Sequence, residues 1–324
     1  MTHERDHGGN MDAAMAEFGG TLAEWLDLST GINPTPYPVP ELSHEAWAAL
    51  PTRGNISALE AVAKSTYACP TRCLPTAGAQ AGIQMLPRVL TIGKARVIAP
   101  TYNEHAASLR SSGWEVTEVD DLSGLEGADL AVVVNPNNPN GNFYSPSELL
   151  QLSKRVGFLL VDESFADPHP ELSIAPYLAE VSNAVVLRSF GKFYGLAGVR
   201  LGFVLGPDDL IAKMQELCGP WPISGAAIEI GKKALADTDW QRATTQRLEA
   251  DQKRLDALCE EAGWATLGGT TLFRLYETSN AQKAQIHLAK HKVWSRIFPY
   301  SSTWIRLGLP PENRWDQLKA ALPR

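Results

Sequence analysis

The chain has 324 residues, 44% apolar and 20% charged, with a net charge of −7. That is enough for one large domain, a second smaller one and a buried subunit interface, and the acidic balance excludes the basic footprint of a nucleic-acid or anionic-membrane binder. No stretch approaches the ~20 apolar residues of a membrane span, the start carries no apolar leader, and Cys69, Cys73, Cys218 and Cys259 lack zinc-ligand spacing; the sequence thus predicts a soluble cytoplasmic protein with reduced packing cysteines and no metal.

Near its start the chain carries His7-Gly8-Gly9-Asn10. Two glycines let backbone N–H groups close on an anion, so a lid is one reading and a loose terminus the other. Four prolines between positions 34 and 40 keep that stretch extended. Thr76-Ala77-Gly78-Ala79-Gln80 follows a short strand and opens a helix, where uncrowded backbone N–H groups make an anion site. Short apolar runs then recur at 96–99, 115–119, 130–134, 157–161, 184–187 and 201–205, separated by helical spacing or Pro/Gly punctuation. This is the pattern of βαβ units and predicts an α/β fold with a largely parallel sheet, whose functional residues belong at the carboxyl ends of the strands.

Most of these runs lead into chemically pointed residues. After the first comes Pro100-Thr101-Tyr102-Asn103-Glu104-His105; His105 stands three positions beyond Tyr102, and chemistry, capping and simple exposure are all open to it. The run 130–134 ends in Asn135-Pro136-Asn137-Asn138-Pro139-Asn140-Gly141, and 157–161 ends in Asp162. The run 184–187 leads to Ser189, Lys192 and Arg200 within a glycine-rich turn. A lysine that forms an imine with an aldehyde needs a confined site, and a serine hydroxyl with a permanently charged guanidinium suits a phosphate ester. Together they read as an anchor for pyridoxal 5′-phosphate, for which Asp162 is the acid partner of the pyridine nitrogen. After Pro220-Trp221-Pro222 the chain turns to a long polar helix over 237–261 and a last αβ unit. The organisation expected is an arm or lid over 1–40, a large cofactor-binding domain over 41–222 and a small domain over 223–324.

Over nearly its whole length the sequence resembles the fold-type I pyridoxal-phosphate enzymes of the class I/II aminotransferase superfamily. More narrowly it resembles the threonine-phosphate decarboxylases of cobalamin biosynthesis, relatives of histidinol-phosphate aminotransferase, through His7-Gly8-Gly9-Asn10, the stretch from Asp27 to Pro34, the Pro100–His105 run and Phe165. The resemblance implies a mixed, mostly parallel seven-stranded sheet with a smaller α+β domain. It implies a homodimer with its active site near the interface, and a small phosphorylated amino acid as substrate. Lys192, Asp162 and Tyr102 would be catalytic, Tyr102 by stacking on the cofactor ring. Gly78, Ala79, Gln80, Asn138, Ser189 and Arg200 would complete cofactor binding, and Asn33, Asn138, Arg296, Arg306 and His7-Gly8-Gly9 would bind substrate.

Two departures stand out. Phe165 occupies the place of a tyrosine that donates to the ring oxygen, and Leu50-Pro51-Thr52 replaces the Tyr-Pro-Asp whose tyrosine crosses the dimer. Decarboxylation of L-threonine O-3-phosphate is the expected reaction. A histidinol-phosphate-type transamination, and a catalytically silent binding partner of the same fold, are the other readings.

Overall fold

The computed structural model describes residues 7–323; the first six residues of the expected arm, and Arg324, lie outside them. The chain divides into two compact units, one of residues 36–138 and 142–241, the other of residues up to 35, 139–141 and 242 onward.

The larger unit is built on a seven-stranded sheet. Its strands are β1 (Arg72–Thr76), β2 (Lys94–Ile98), β3 (Glu115–Val119), β4 (Leu130–Val134), β5 (Phe158–Asp162), β6 (Ala184–Ser189) and β7 (Gly202–Gly206). The spatial order is β1-β7-β6-β5-β4-β2-β3. Only β7 runs against its neighbours; all pairs not involving it are parallel. All five residues of β4 are buried, which is why that run reads as continuously apolar rather than alternating. Helix Ala79–Val89 and the strands share a core of Leu74, Ile83, Leu86, Val97, Val132, Leu160, Leu187 and Val204. With β7 reversed, the carboxyl ends of β1, β2, β4, β5 and β6 face one end of the sheet, and the candidate cofactor residues come directly after them in the chain.

The Pro-Trp-Pro break at 220–222 does not end this unit. Helix Gly225–Ala236 packs on helix Arg53–Thr66 and buries Ala226, Ala227, Ile228, Ile230, Ala234 and Leu235. Residues 223–241 therefore group with the sheet, and residues 36–40 do as well. The proline-flanked tryptophan marks a loop within the unit; an apolar helix face on its far side binds the chain back to the core.

The smaller unit holds a four-stranded antiparallel sheet of β8 (Ala265–Thr270), β9 (Phe273–Glu277), β10 (Arg296–Phe298) and β11 (Ser301–Gly308), in the order β10-β11-β9-β8. A short parallel ladder joins Leu26–Asp27 to Val293–Trp294. Helix Met11–Phe18, capped by the Asn10 side chain, packs through Ala14 beside Trp25 and Ala289.

Candidate active site

A cavity of about 150 Å³ lies at the carboxyl end of the large sheet, lined by Ala79, Gln80, Ile83, Tyr102, Val134, Asn138, Asp162, Ser164, Phe165, Ser189, Lys192 and Arg200. Residues spread over more than a hundred positions meet there because they lie at or after the carboxyl ends of five strands, β1, β2, β4, β5 and β6.

Asp162 closes β5 and is buried. Its Oδ2 lies 2.8 Å from His105 Nε2. Its Oδ1 accepts from the Ser164 hydroxyl at 2.5 Å and the Ser164 backbone N–H at 3.0 Å. Burial alone pushes this carboxyl's pKa up, but the bond and charge of His105 and the two Ser164 donors outweigh it and hold it below the usual carboxylate range. The site thus keeps an ionised acid in an apolar floor.

Lys192 sits on the short helix Phe190–Phe193 directly after β6. Phe190 stacks on Tyr194 at 4.4 Å between centroids, and Tyr194 stacks on Trp240 at 5.6 Å, so an aromatic layer holds that helix in place. Lys192 Nζ stands 5.6 Å from the centre of the Phe165 ring. That places the ammonium over the ring face, within cation–π reach.

An anion cradle adjoins the lysine. Gly78 caps helix Ala79–Val89 with no side chain accepting from its first N–H groups. Gly78 has φ +77, and a Cβ there would stand 2.7 Å from Arg200 Nη2, so the guanidinium lies against bare backbone that only glycine provides. Arg200 itself has φ +55 and is steadied by Nη1 donating to Ala197 O at 3.1 Å. Backbone donors and a guanidinium meeting at one point suit a phosphate monoester. With Lys192, the ionised Asp162 and the flat wall of Tyr102, the residues present fit pyridoxal 5′-phosphate.

In the smaller unit Arg296 and Arg306 are directly opposed across β10 and β11. Arg306 is buried, donates from Nη2 to Ser29 O at 2.6 Å, and lies 5.0 Å over Phe273. Burial, and then the neighbouring Arg296 charge, pull its pKa down to about 10. Gly9 N donates to Ser29 Oγ at 2.7 Å, and Ser29 Oγ donates to Asp27 Oδ1 at 2.6 Å. Asn33 Oδ1 is taken up by Arg247 Nη2 at 2.7 Å and Thr35 N at 3.1 Å.

Comparison with known proteins points the same way. The model of the family described as aminotransferase class I and II matches residues 34–322. The chain belongs to that family. Two curated relatives are threonine-phosphate decarboxylases, from a Sinorhizobium species (40% identical, covering 98% of this chain and 97% of the relative) and from Pseudomonas aeruginosa (41%, 98% and 97%). Among solved structures, histidinol-phosphate aminotransferase from Sinorhizobium meliloti in complex with pyridoxal-5′-phosphate aligns with a TM-score of 0.83 at 18% identity, covering 96% of this chain and 93% of that one. It supports the fold-type I architecture.

In this family member the sequence-predicted cofactor residues assemble around one cavity, Gly78 at its edge against Arg200. Arg296, Arg306, Gly8, Gly9 and Asn33 lie in the smaller unit. His105 is neither a surface nor a capping residue: it is buried and holds Asp162. It stands 57 positions from its partner, and only the fold brings the two together. Sequence reasoning also misses Glu163, Asp167 and Arg188. Arg188 pairs with Glu163 at 2.8 Å and Asp167 at 3.0 Å, over the Tyr67 ring at 4.3 Å, all buried. The one sequence signal for Glu163 and Arg188 is a charge near the end of an apolar run, and Asp167 has none. No helix among the described residues is long and apolar enough to cross a membrane, and none of their acidic, His and Cys side chains form a metal-holding group of three or more.

Proposed function

We propose that this protein is a pyridoxal-phosphate-dependent carbon–carbon lyase. It decarboxylates L-threonine O-3-phosphate to (R)-1-aminopropan-2-yl phosphate and CO₂ in cobalamin biosynthesis, as a cytoplasmic homodimer. The observation that carries the reading is the 40–41% identity, over 98% of the chain, to threonine-phosphate decarboxylases.

Pyridoxal 5′-phosphate, when bound, supplies an electron sink for the pair released as a bond at the substrate α carbon breaks. Lys192 Nζ would be the amine that holds its aldehyde carbon. Ionised Asp162, fixed by His105 and Ser164, keeps a proton on the pyridine nitrogen. Arg200, Ser189 and the N–H groups after Gly78 take the phosphate, and Tyr102 bears on the ring face. Asn138 donates to the ring oxygen, a task left to it because Phe165 has no donor.

Which α-carbon bond breaks depends on which one stands perpendicular to the conjugated ring. Arg296 and Arg306 would bind the substrate's two anionic groups, and anchoring those groups restricts the torsion at the α carbon. Two arginines directly opposed across the strand pair suit a substrate that carries two anionic groups, which supports a dianionic substrate. Gly8 adds a backbone N–H next to Ser29, and Gly9 holds that segment in place through its own N–H to the Ser29 hydroxyl.

The test is an assay of purified protein with carboxyl-labelled L-threonine O-3-phosphate. Labelled CO₂ should appear without 2-oxoglutarate. Conversion of 2-oxoglutarate to glutamate with no CO₂ would move the protein to transamination, with histidinol phosphate the first substrate to try.

A further inference from the structure

Glu104 is a carboxylate only 5% exposed, in the first turn of helix Glu104–Ser111, and it does not line the cavity. A glutamate is rarely buried to this degree unless it is paired, since desolvation of the charge opposes it. Its Oε2 accepts from Gln80 Nε2 at 2.8 Å, and the other end of the same amide, Gln80 Oε1, accepts from the Tyr102 hydroxyl at 3.2 Å. Hydrogen bonds thus run in one direction, from phenol to amide to carboxylate.

The direction is imposed by the carboxylate. An ionised Glu104 only accepts, so the amide must turn its NH₂ toward it and its carbonyl toward Tyr102. A flipped amide would set an oxygen against the carboxylate. Successive bonds of this kind polarise one another in a low-dielectric setting. The chain of bonds also ties two parts of the site together: Gln80 stands in the first turn of helix Ala79–Val89, at the anion cradle, and Tyr102 forms a wall of the cavity.

We infer that Glu104 is a positioning residue which, acting through the Gln80 amide, fixes the Tyr102 ring relative to the anion cradle and so sets how tightly and at what angle the cavity holds a flat phosphorylated ring. This rests on the pyridoxal-phosphate reading of the site. A contribution of Glu104 to its own helix alone, through a charge at the helix N-terminus, would leave Tyr102 unaffected and is the alternative to separate.

A double-mutant cycle on cofactor binding separates them. Apoprotein is titrated with pyridoxal 5′-phosphate, and both affinity and the visible circular dichroism of the bound cofactor are read, with melting of each apoprotein recorded. Glu104→Leu and Tyr102→Phe each lower affinity about five- to tenfold, the range for one lost hydrogen bond. The double variant loses no more than the larger single loss, because both changes break one linkage. Both single variants weaken the dichroic band alike, and Glu104→Gln, which keeps an acceptor for Gln80 Nε2, restores affinity and band.

Losses that multiply in the double variant, or an unchanged dichroic band in Glu104→Leu, overturn the inference. If Glu104→Leu does not fold, Gln80→Met cuts the linkage at its centre and takes its place in the cycle with the same criteria. A wild-type protein that binds no pyridoxal 5′-phosphate overturns the functional reading and this inference with it, a result distinct from additivity in a protein that does bind.

Discussion

Gly9 and Arg306 meet on one residue: the Gly9 N–H donates to the Ser29 hydroxyl while the Arg306 guanidinium donates to the Ser29 carbonyl. Nearly three hundred positions separate them, yet the segment near the chain start and the buried arginine of β11 share Ser29 as an anchor. Gly8 lies so close that a Cβ would overlap the Ser29 carbonyl. Gly8→Ala is therefore expected to displace the segment and raise KM for phosphorylated substrate about tenfold, in the energy range of steric overpacking, with the cofactor's absorbance unchanged. Gly54→Ala, where the nearest atom is a Thr52 hydroxyl at 3.7 Å, is the control. Equal KM values in the two variants would remove the segment from substrate binding.

The His105–Asp162 pair gives a pH signature. Burial raises the Asp162 pKa, and the bond and charge of His105 counter it most strongly. His105→Phe removes both bond and charge, so the carboxyl pKa rises and the acid limb of the rate profile moves to higher pH, since the ionised form is the one that holds the pyridine proton. Asp162→Asn should bind cofactor and lose turnover on the order of a hundredfold or more, as expected for removal of a positioned proton-holding group. An acid limb that stays in place in His105→Phe would mean that another group sets it.

Strand content is legible in the sequence because β4, β5 and β6 are buried runs bounded by turn chemistry, and each announces a functional residue at its carboxyl end. β1 is harder to see: it carries Pro75 and sits at the sheet edge beside the one reversed strand, a position where a proline costs no ladder bond. Lys192, Asp162 and Arg200 are legible because their spacing within one short segment, or their place after a run, already implies a cofactor. The pairings that tune them are not. His105 with Asp162 and Gln80 with Glu104 link segments with no local relation, and neither residue type announces burial. Asn33 shows the converse: its neighbours point to substrate, while the fold commits its side-chain oxygen to Arg247.

The Glu163–Arg188–Asp167 cluster should make stability fall as pH rises. Burial outweighs Arg188 and raises the carboxyl pKa of both acids, and Asp167 Oδ2 has no hydrogen-bond partner among the described residues. From about pH 4, the ordinary unfolded value, up to the raised folded value, the folded state keeps a proton that the unfolded state has released, so stability drops across that window. Asp167→Asn cannot titrate and leaves Glu163 to balance Arg188. Its melting midpoint should decline less over the same window. A steeper decline would show that Asp167 is held as a stabilising anion instead.

Arg296 and Arg306 give the clearest separation of substrate from cofactor binding. Arg200→Lys should weaken cofactor retention, whereas Arg306→Lys and Arg296→Lys should leave the cofactor in place and weaken substrate use, because lysine keeps the charge and loses the planar fork. Their opposition across β10 and β11 carries a further consequence. If the pair binds an anionic substrate group, inorganic phosphate should raise the melting midpoint of the holoprotein, in which the Arg200 cradle is already filled. At a hundred times Kd the stabilisation is about 2.7 kcal/mol. Arg296→Gln should respond little to added phosphate. Melting curves with and without phosphate decide the matter. A phosphate response in Arg296→Gln equal to that of wild type would show that the anion binds elsewhere and that this pair does not grip the substrate.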